Sequence, residues 1–141
     1  MNASRRLAGA WITAFILLVL PMGSEASTTA KDILKRIGVS RGICVGLGDA
    51  TGEMSVELAR SSELMIYLQL PRGDDVESTR RAVDKEGLYG TRIFVEKGSP
   101  THIHLADHLA DAVVVVDETT SKLREREALR VLRPRGRALL G

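Results

Sequence analysis

At 141 residues, with 44% hydrophobic and 27% charged positions, the chain suits one globular domain and excludes disordered, collagen-like and low-complexity classes. Its 20 Lys and Arg nearly cancel its 18 Asp and Glu, and aromatics make up only 4%, so neither a basic nucleic-acid surface nor a stacking platform is expected. The single cysteine, Cys44, excludes an intrachain disulfide and a multi-cysteine zinc site.

The N-terminus has the layout of a secretory signal peptide. Arg5 and Arg6 are followed by an apolar run from Leu7 to Leu20, broken by Pro21 and Gly23, and Ser24-Glu25-Ala26 sets small residues at a cleavage site. The run falls short of the roughly 20 residues of a comfortable membrane span. The expectation is a signal peptide over 1–26 and an exported domain over 27–141, in the periplasm or cell envelope. If retained, the segment would be an anchor.

Beyond a short polar linker, Asp32 to Ile37 suits a brief helix stopped by Gly38. Gly42 to Leu47 is an apolar run of strand length, and Gly52 to Arg60 a short helix. Leu64 to Leu70 reads as a second strand, and Val76, Thr79 and Val83 mark a third helix ended by Gly87. Thr91 to Val95 is a third strand. Ala112 to Val116, with four consecutive valines, is a fourth strand buried on both faces. Ser121 to Leu132 is a helix with Leu129 and Leu132 inward, stopped by Pro134, and Arg137 to Leu140 begins a fifth strand. Such strand–helix alternation predicts βαβ units and a mostly parallel sheet of about five strands.

Gly46-Leu47-Gly48-Asp49-Ala50-Thr51-Gly52 joins the first strand to a helix start. Glycines there let backbone approach a ligand, and free N–H groups at a helix start favour an anion. The same glycines also suit a tight turn that only packs a helix closely. The order of elements from about Ile33 onward resembles the class I S-adenosylmethionine-dependent methyltransferases, which implies a Rossmann-like three-layer sandwich. Gly48 and Gly52 match the outer glycines of that family's G-x-G-x-G. Ala50 replaces the middle one, and Gly46 stands where the family has an acid. At the end of the second strand, Gln69 stands where the family's carboxylate holds the ribose hydroxyls, and Gly98-Ser99 replaces its Gly-Asp. The segment Glu127-Ala-Leu-Arg-Val-Leu-Arg-Pro-Arg-Gly136 is similar to the family's E-hLR-hL+PGG pattern.

The resemblance therefore implies S-adenosylmethionine as cofactor, held by Gly46, Gly48, Asp49, Ala50, Gly52, Gln69 and Ser99, with the carboxylates of that site lost. It also implies further strands and a substrate-binding region after residue 141. Much of the segment from Gly42 to Glu96 resembles degenerate exported domains of planctomycete-type bacteria that precede a β-propeller similar to quinoprotein dehydrogenases. Two functions follow as alternatives: a methyltransferase, or an inactive exported module that binds a nucleotide-like ligand or a protein partner, the latter at the edge of the fifth strand. A nicotinamide-dinucleotide site is a third reading, since Gly46-x-Gly48 opens that fingerprint and Arg72 can meet a 2′-phosphate.

Other clusters read as structural. His104 and His108, at helical spacing beside His102, are a solvated or capping group rather than a metal site. Asp74, Asp75 and Glu77 favour a helix N-terminus, and Glu125, Arg126 and Glu127 a solvated face. Asp117 and Glu118, after the fourth strand, are the only carboxylates placed for catalysis.

Overall fold

The computed structural model describes residues 28–116 and 125–140. The expected signal segment and the Asp117–Glu118 pair fall outside these. No described helix is long and apolar enough to cross a membrane.

Helix α1 (Ala30–Ile37) opens on a capping box: the Thr29 hydroxyl accepts from the Asp32 N–H and the Asp32 carboxylate accepts from the Thr29 N–H, each at 3.3 Å. Gly38, at φ 63°, closes it in the left-handed conformation. There follow β1 (Arg41–Leu47), α2 (Glu53–Ser61), β2 (Glu63–Leu70), α3 (Gly73–Lys85), β3 (Ile93–Lys97), β4 (Ala110–Val115), α4 (Glu125–Val131) and β5 (Leu132–Leu139). The five strands form one parallel sheet in the order β3-β2-β1-β4-β5.

Two apolar clusters fill the two faces. On one, Cys44, Ile66, Leu68, Ala112 and Val114 pack against α1, α2 and α3. Alternation along the same strands sends Val45, Leu47, Val113 and Val115 to the other face, under Ala128 and Val131 of α4 and Ile103 of the β3–β4 connection. All six residues of β4 are buried, as an apolar run covered on both faces requires. Burial pushes the Cys44 thiol up to about 12, so it packs as an inert core residue.

The expected helix–strand boundary near Pro134 is corrected. The strand begins at Leu132, directly after α4, and runs through Pro134. Ala110 pairs with Leu132 but Ala112 pairs with Arg137, so Arg133–Gly136 bulge outward opposite Asp111. A bulge is where a strand tolerates proline, and Arg135 takes a positive φ of 70° within it. The Asp111 carboxylate anchors this region, accepting from the Ile43 N–H at 2.8 Å and pairing with Arg133. Leu129 is not inward: it is 58% exposed, while Ala128 and Val131 are buried three apart on one helical face. The third strand lies two residues later than expected, because Arg92 reaches back to the carbonyls of Ala59, Ser62 and Leu64.

Candidate functional site

The glycine-rich turn, Gln69 and Ser99 all lie at the carboxyl edge of the sheet, where β1, β2 and β3 end. Parallel strands end together there, so topology gathers residues far apart in sequence. Gly48 and Gly52 have φ of 84° and 77°, which glycine adopts without strain. Gly52 is also a packing requirement: an added Cβ would lie 2.9 Å from Thr79 Cγ2 and 3.1 Å from Val83 Cγ2 on α3. The Ala50 carbonyl accepts from the Thr79 hydroxyl at 2.5 Å, tying the turn to the same helix.

Asp49 points inward. It is 6% exposed, and its carboxylate accepts from the Gly52 N–H at 3.1 Å, the Ser55 N–H at 2.8 Å and the Ser55 hydroxyl at 2.7 Å. The start of α2, which the sequence leaves open for an outside anion, is filled by the chain's own carboxylate. A side chain at Gly46 would enter the same place, its Cβ 3.3 Å from Leu68 and 3.8 Å from the Ser55 hydroxyl. An acid there would compete with Asp49 for one donor set.

Gln69 is 2% exposed, and its amide is fully engaged. Its Nε2 donates to the carbonyls of Ser99 at 2.6 Å and His102 at 2.8 Å, and its Oε1 accepts from the His104 N–H at 2.9 Å. Gly98 makes room for it, since a Cβ there would lie 2.7 Å from Nε2. Ser99 is exposed, and its hydroxyl shares a 2.8 Å hydrogen bond with Thr101. Gln69 and Ser99 thus form a loop anchor.

One residue escaped the sequence reading. Glu127, expected on a solvated face, accepts from the Ile103 N–H at 2.9 Å and from Arg130, and lies 2.9 Å from His102 Nδ1. Hydrogen bonding from Arg130, then from Ile103, holds its carboxyl down to about 2. Arg130 also donates to the carbonyls of Leu105 at 3.0 Å and Ile103 at 2.8 Å and pairs with Asp107. Together these groups pin the irregular β3–β4 connection to α4. The only sequence signal was the match of Glu127 to Arg130 with the family's segment. His104 and His108 do not share a helix face, because residues 101–109 form turns and bends. His108 Nδ1 instead lies 3.1 Å from the Leu132 carbonyl.

Besides a hollow of about 440 Å³ between α2 and α3 that Thr51 and Gly52 line, two more open near these residues. One, of about 350 Å³, lies beside the glycine-rich turn and is lined by Thr28, Thr29, Asp49, Thr51, Glu53, Met54, Glu57 and Val116. Of the expected cofactor residues only Asp49 reaches it. The other, of about 600 Å³, lies against the Glu127–Arg130 network.

Solved structures share this architecture. A candidate S-adenosyl-L-methionine-dependent methyltransferase from Methanococcus maripaludis matches with a TM-score of 0.64 and 25% identity, over 74% of this chain and 49% of that one. The fold is that of the S-adenosylmethionine-dependent methyltransferases. A methyltransferase of this type from Aquifex aeolicus matches at 0.63 and 22% identity, over 74% of this chain and 58% of its own. The methyltransferase fold also carries other chemistry: the [4+2]-cyclase SpnF matches at 0.64 and 20% identity, over 74% of this chain and 40% of its own. This chain spans about half the length of these structures. No family model matches the sequence, and no curated protein matches it.

Proposed function

We propose that this chain is a methyltransferase-fold binding module that does not transfer methyl groups. The observation that carries the reading is the engagement of Gln69. S-adenosylmethionine offers two ribose hydroxyls, and the residue at the end of β2 has to receive them. Gln69 has its donors and its acceptor committed to Ser99, His102 and His104, and it is shut off from solvent. The Asp49 carboxylate fills the start of α2 in the same way. The residues present do not fit the cofactor.

The expected export accords with the same reading. With residues 1–26 as a signal peptide, the domain would work outside the cytoplasm, where S-adenosylmethionine is made and kept. The resemblance to domains beside quinoprotein-like β-propellers gives it a setting as a partner-binding element in the periplasm or cell envelope. The test is calorimetric titration of the folded protein with S-adenosylmethionine and S-adenosylhomocysteine. No binding is expected at millimolar ligand. Micromolar binding of either, about −8 kcal/mol, would overturn the reading and favour a methyltransferase with a rebuilt cofactor site.

A further inference from the structure

All three histidines of the chain lie on the β3–β4 connection, at positions 102, 104 and 108. The pair that the fold brings together is not the pair at helical spacing. His108 has its Nδ1 at the Leu132 carbonyl. His102 and His104 are both exposed, and their ring centroids lie 5.7 Å apart with the planes tilted by 59°. Ile103 between them is fully buried and anchors the segment in the core.

The backbone that carries the two rings is held from both sides. Gln69 of β2 donates to the His102 carbonyl at 2.8 Å and accepts from the His104 N–H at 2.9 Å. Glu127 of α4 accepts from the Ile103 N–H at 2.9 Å, and Arg130 donates to the Ile103 carbonyl at 2.8 Å. Four consecutive backbone groups are thus engaged, so little ordering is left for a ligand that bridges the two side chains.

A carboxylate fixes the chemistry of one ring. Glu127 lies 2.9 Å from His102 Nδ1. An ionised carboxylate only accepts, so the neutral ring carries its proton on Nδ1 and keeps a lone pair on Nε2. A carboxylate behind one imidazole nitrogen is the arrangement that orients a histidine toward a metal through the other. The ring spacing agrees: with metal–nitrogen bonds of about 2.0–2.1 Å, two imidazoles at a near-tetrahedral angle hold their centroids about 5–6 Å apart. The Arg130 guanidinium in the same network is neutralised by Glu127 and Asp107.

We propose that His102 and His104 together bind one divalent transition-metal ion of the zinc or copper kind, with Glu127 as the carboxylate behind His102. Imidazole nitrogens select such ions over magnesium and calcium, which take oxygen ligands. No third histidine, cysteine, aspartate or glutamate among the described residues joins the pair, so water fills the remaining positions. The ion adds a third clasp to a connection already held by Gln69 and by Glu127 with Arg130. This goes beyond the binding-module reading and does not depend on it.

The test is calorimetric titration of the folded protein with zinc chloride, with copper(II) chloride and magnesium chloride in parallel. The pH is set at about 7.5, because metal binding requires neutral imidazole. One zinc ion per chain is expected, with a Kd on the order of 10 μM, tighter binding of copper, and none of magnesium at about 1 mM. His102→Ala and His104→Ala, both at exposed positions, should each weaken zinc binding at least about tenfold, whereas His108→Ala leaves it unchanged. Glu127→Gln, shown to be folded by circular dichroism, should weaken it about tenfold through the lost carboxylate. Absence of zinc binding at about 1 mM would overturn the site, as would magnesium binding equal to zinc or a loss in His108→Ala as large as in His102→Ala. An unchanged affinity in Glu127→Gln would overturn the part given to the carboxylate. The metal and cofactor titrations read different ligands, so either can fail without the other.

Discussion

Replacing Gln69 by glutamate puts a carboxylate back at the end of β2, nearly isosterically, and the structure predicts harm rather than repair. The new oxygen would replace Nε2, which sits 2.6 Å and 2.8 Å from two carbonyl oxygens. Both donated bonds are lost, and an anion faces two lone-pair-bearing atoms at a position only 2% exposed. Leaving a buried polar group without its partner costs about 1–3 kcal/mol. Ser99 is exposed, so water can reach its carbonyl and the low end applies there. The expected total near neutral pH is about 3 kcal/mol, or roughly 12–20 °C in melting temperature for a domain of this size. Protonation relieves part of it, because the acid form donates one hydrogen bond. The folded state then holds its proton more tightly than the unfolded chain, so stability falls as pH rises above the ordinary glutamate value of about 4.3. Urea unfolding of wild type and Gln69→Glu at about pH 5 and pH 7.5 is the assay, and the gap should widen by about 1 kcal/mol at the higher pH. Gln69→Leu should be destabilised without that pH dependence. If Gln69→Glu unfolds within about 0.5 kcal/mol of wild type at both pH values, the amide is not holding the loop and the argument against the cofactor loses its support.

Asp49→Ala removes the acceptor for two backbone N–H groups at the start of α2, with an expected loss of about 2–3 kcal/mol by urea midpoint. Asp49→Ser should recover part of it. Gly42→Ala should cost about 3 kcal/mol or more, since Gly42 has φ 108° and a Cβ would overlap the Asp111 carboxylate. Gly38→Ala, at φ 63° with open space around it, should cost only about 1 kcal/mol, and thermal melts of the two variants make the comparison. Glu127 is held below its unfolded value, so its contribution is present above about pH 4.5 and is lost as pH falls toward about 2. Wild type should lose about 2 kcal/mol more than Glu127→Gln over that interval, read by urea titration at each pH.

The alternation of elements and the buried fourth strand were legible because periodicity and apolar runs are local signals. The β5 bulge was not: Pro134 marks a break in any local reading, and only Asp111 and Ala110, on another strand, reveal that the strand passes through it. Leu129 misled because a leucine in a short helix reads as core, whereas the inward face belongs to Ala128 and Val131. The glycine-rich turn was legible as a turn, but the direction of Asp49 was set by donors on α2. Gln69 was hardest, because its partners are backbone atoms 30, 33 and 35 positions away, which carry no side-chain signature. Glu127 was hidden likewise behind the Ile103 backbone, 24 positions distant.

The central position of β1 also sets the order in which the molecule assembles. Its contacts with β2 close a short loop, as between Arg41 and Glu63, 22 positions apart, whereas Ile43 meets Asp111 across 68 positions. Short closures form early and long ones late. The half from α1 to β3 can therefore collapse first, leaving one side of β1 bare until β4 arrives, with Ile43 to Leu47 offered to any neighbouring chain. A cell that makes the chain would have to shield that strand until Val115 has emerged, so assembly time rather than final stability governs yield.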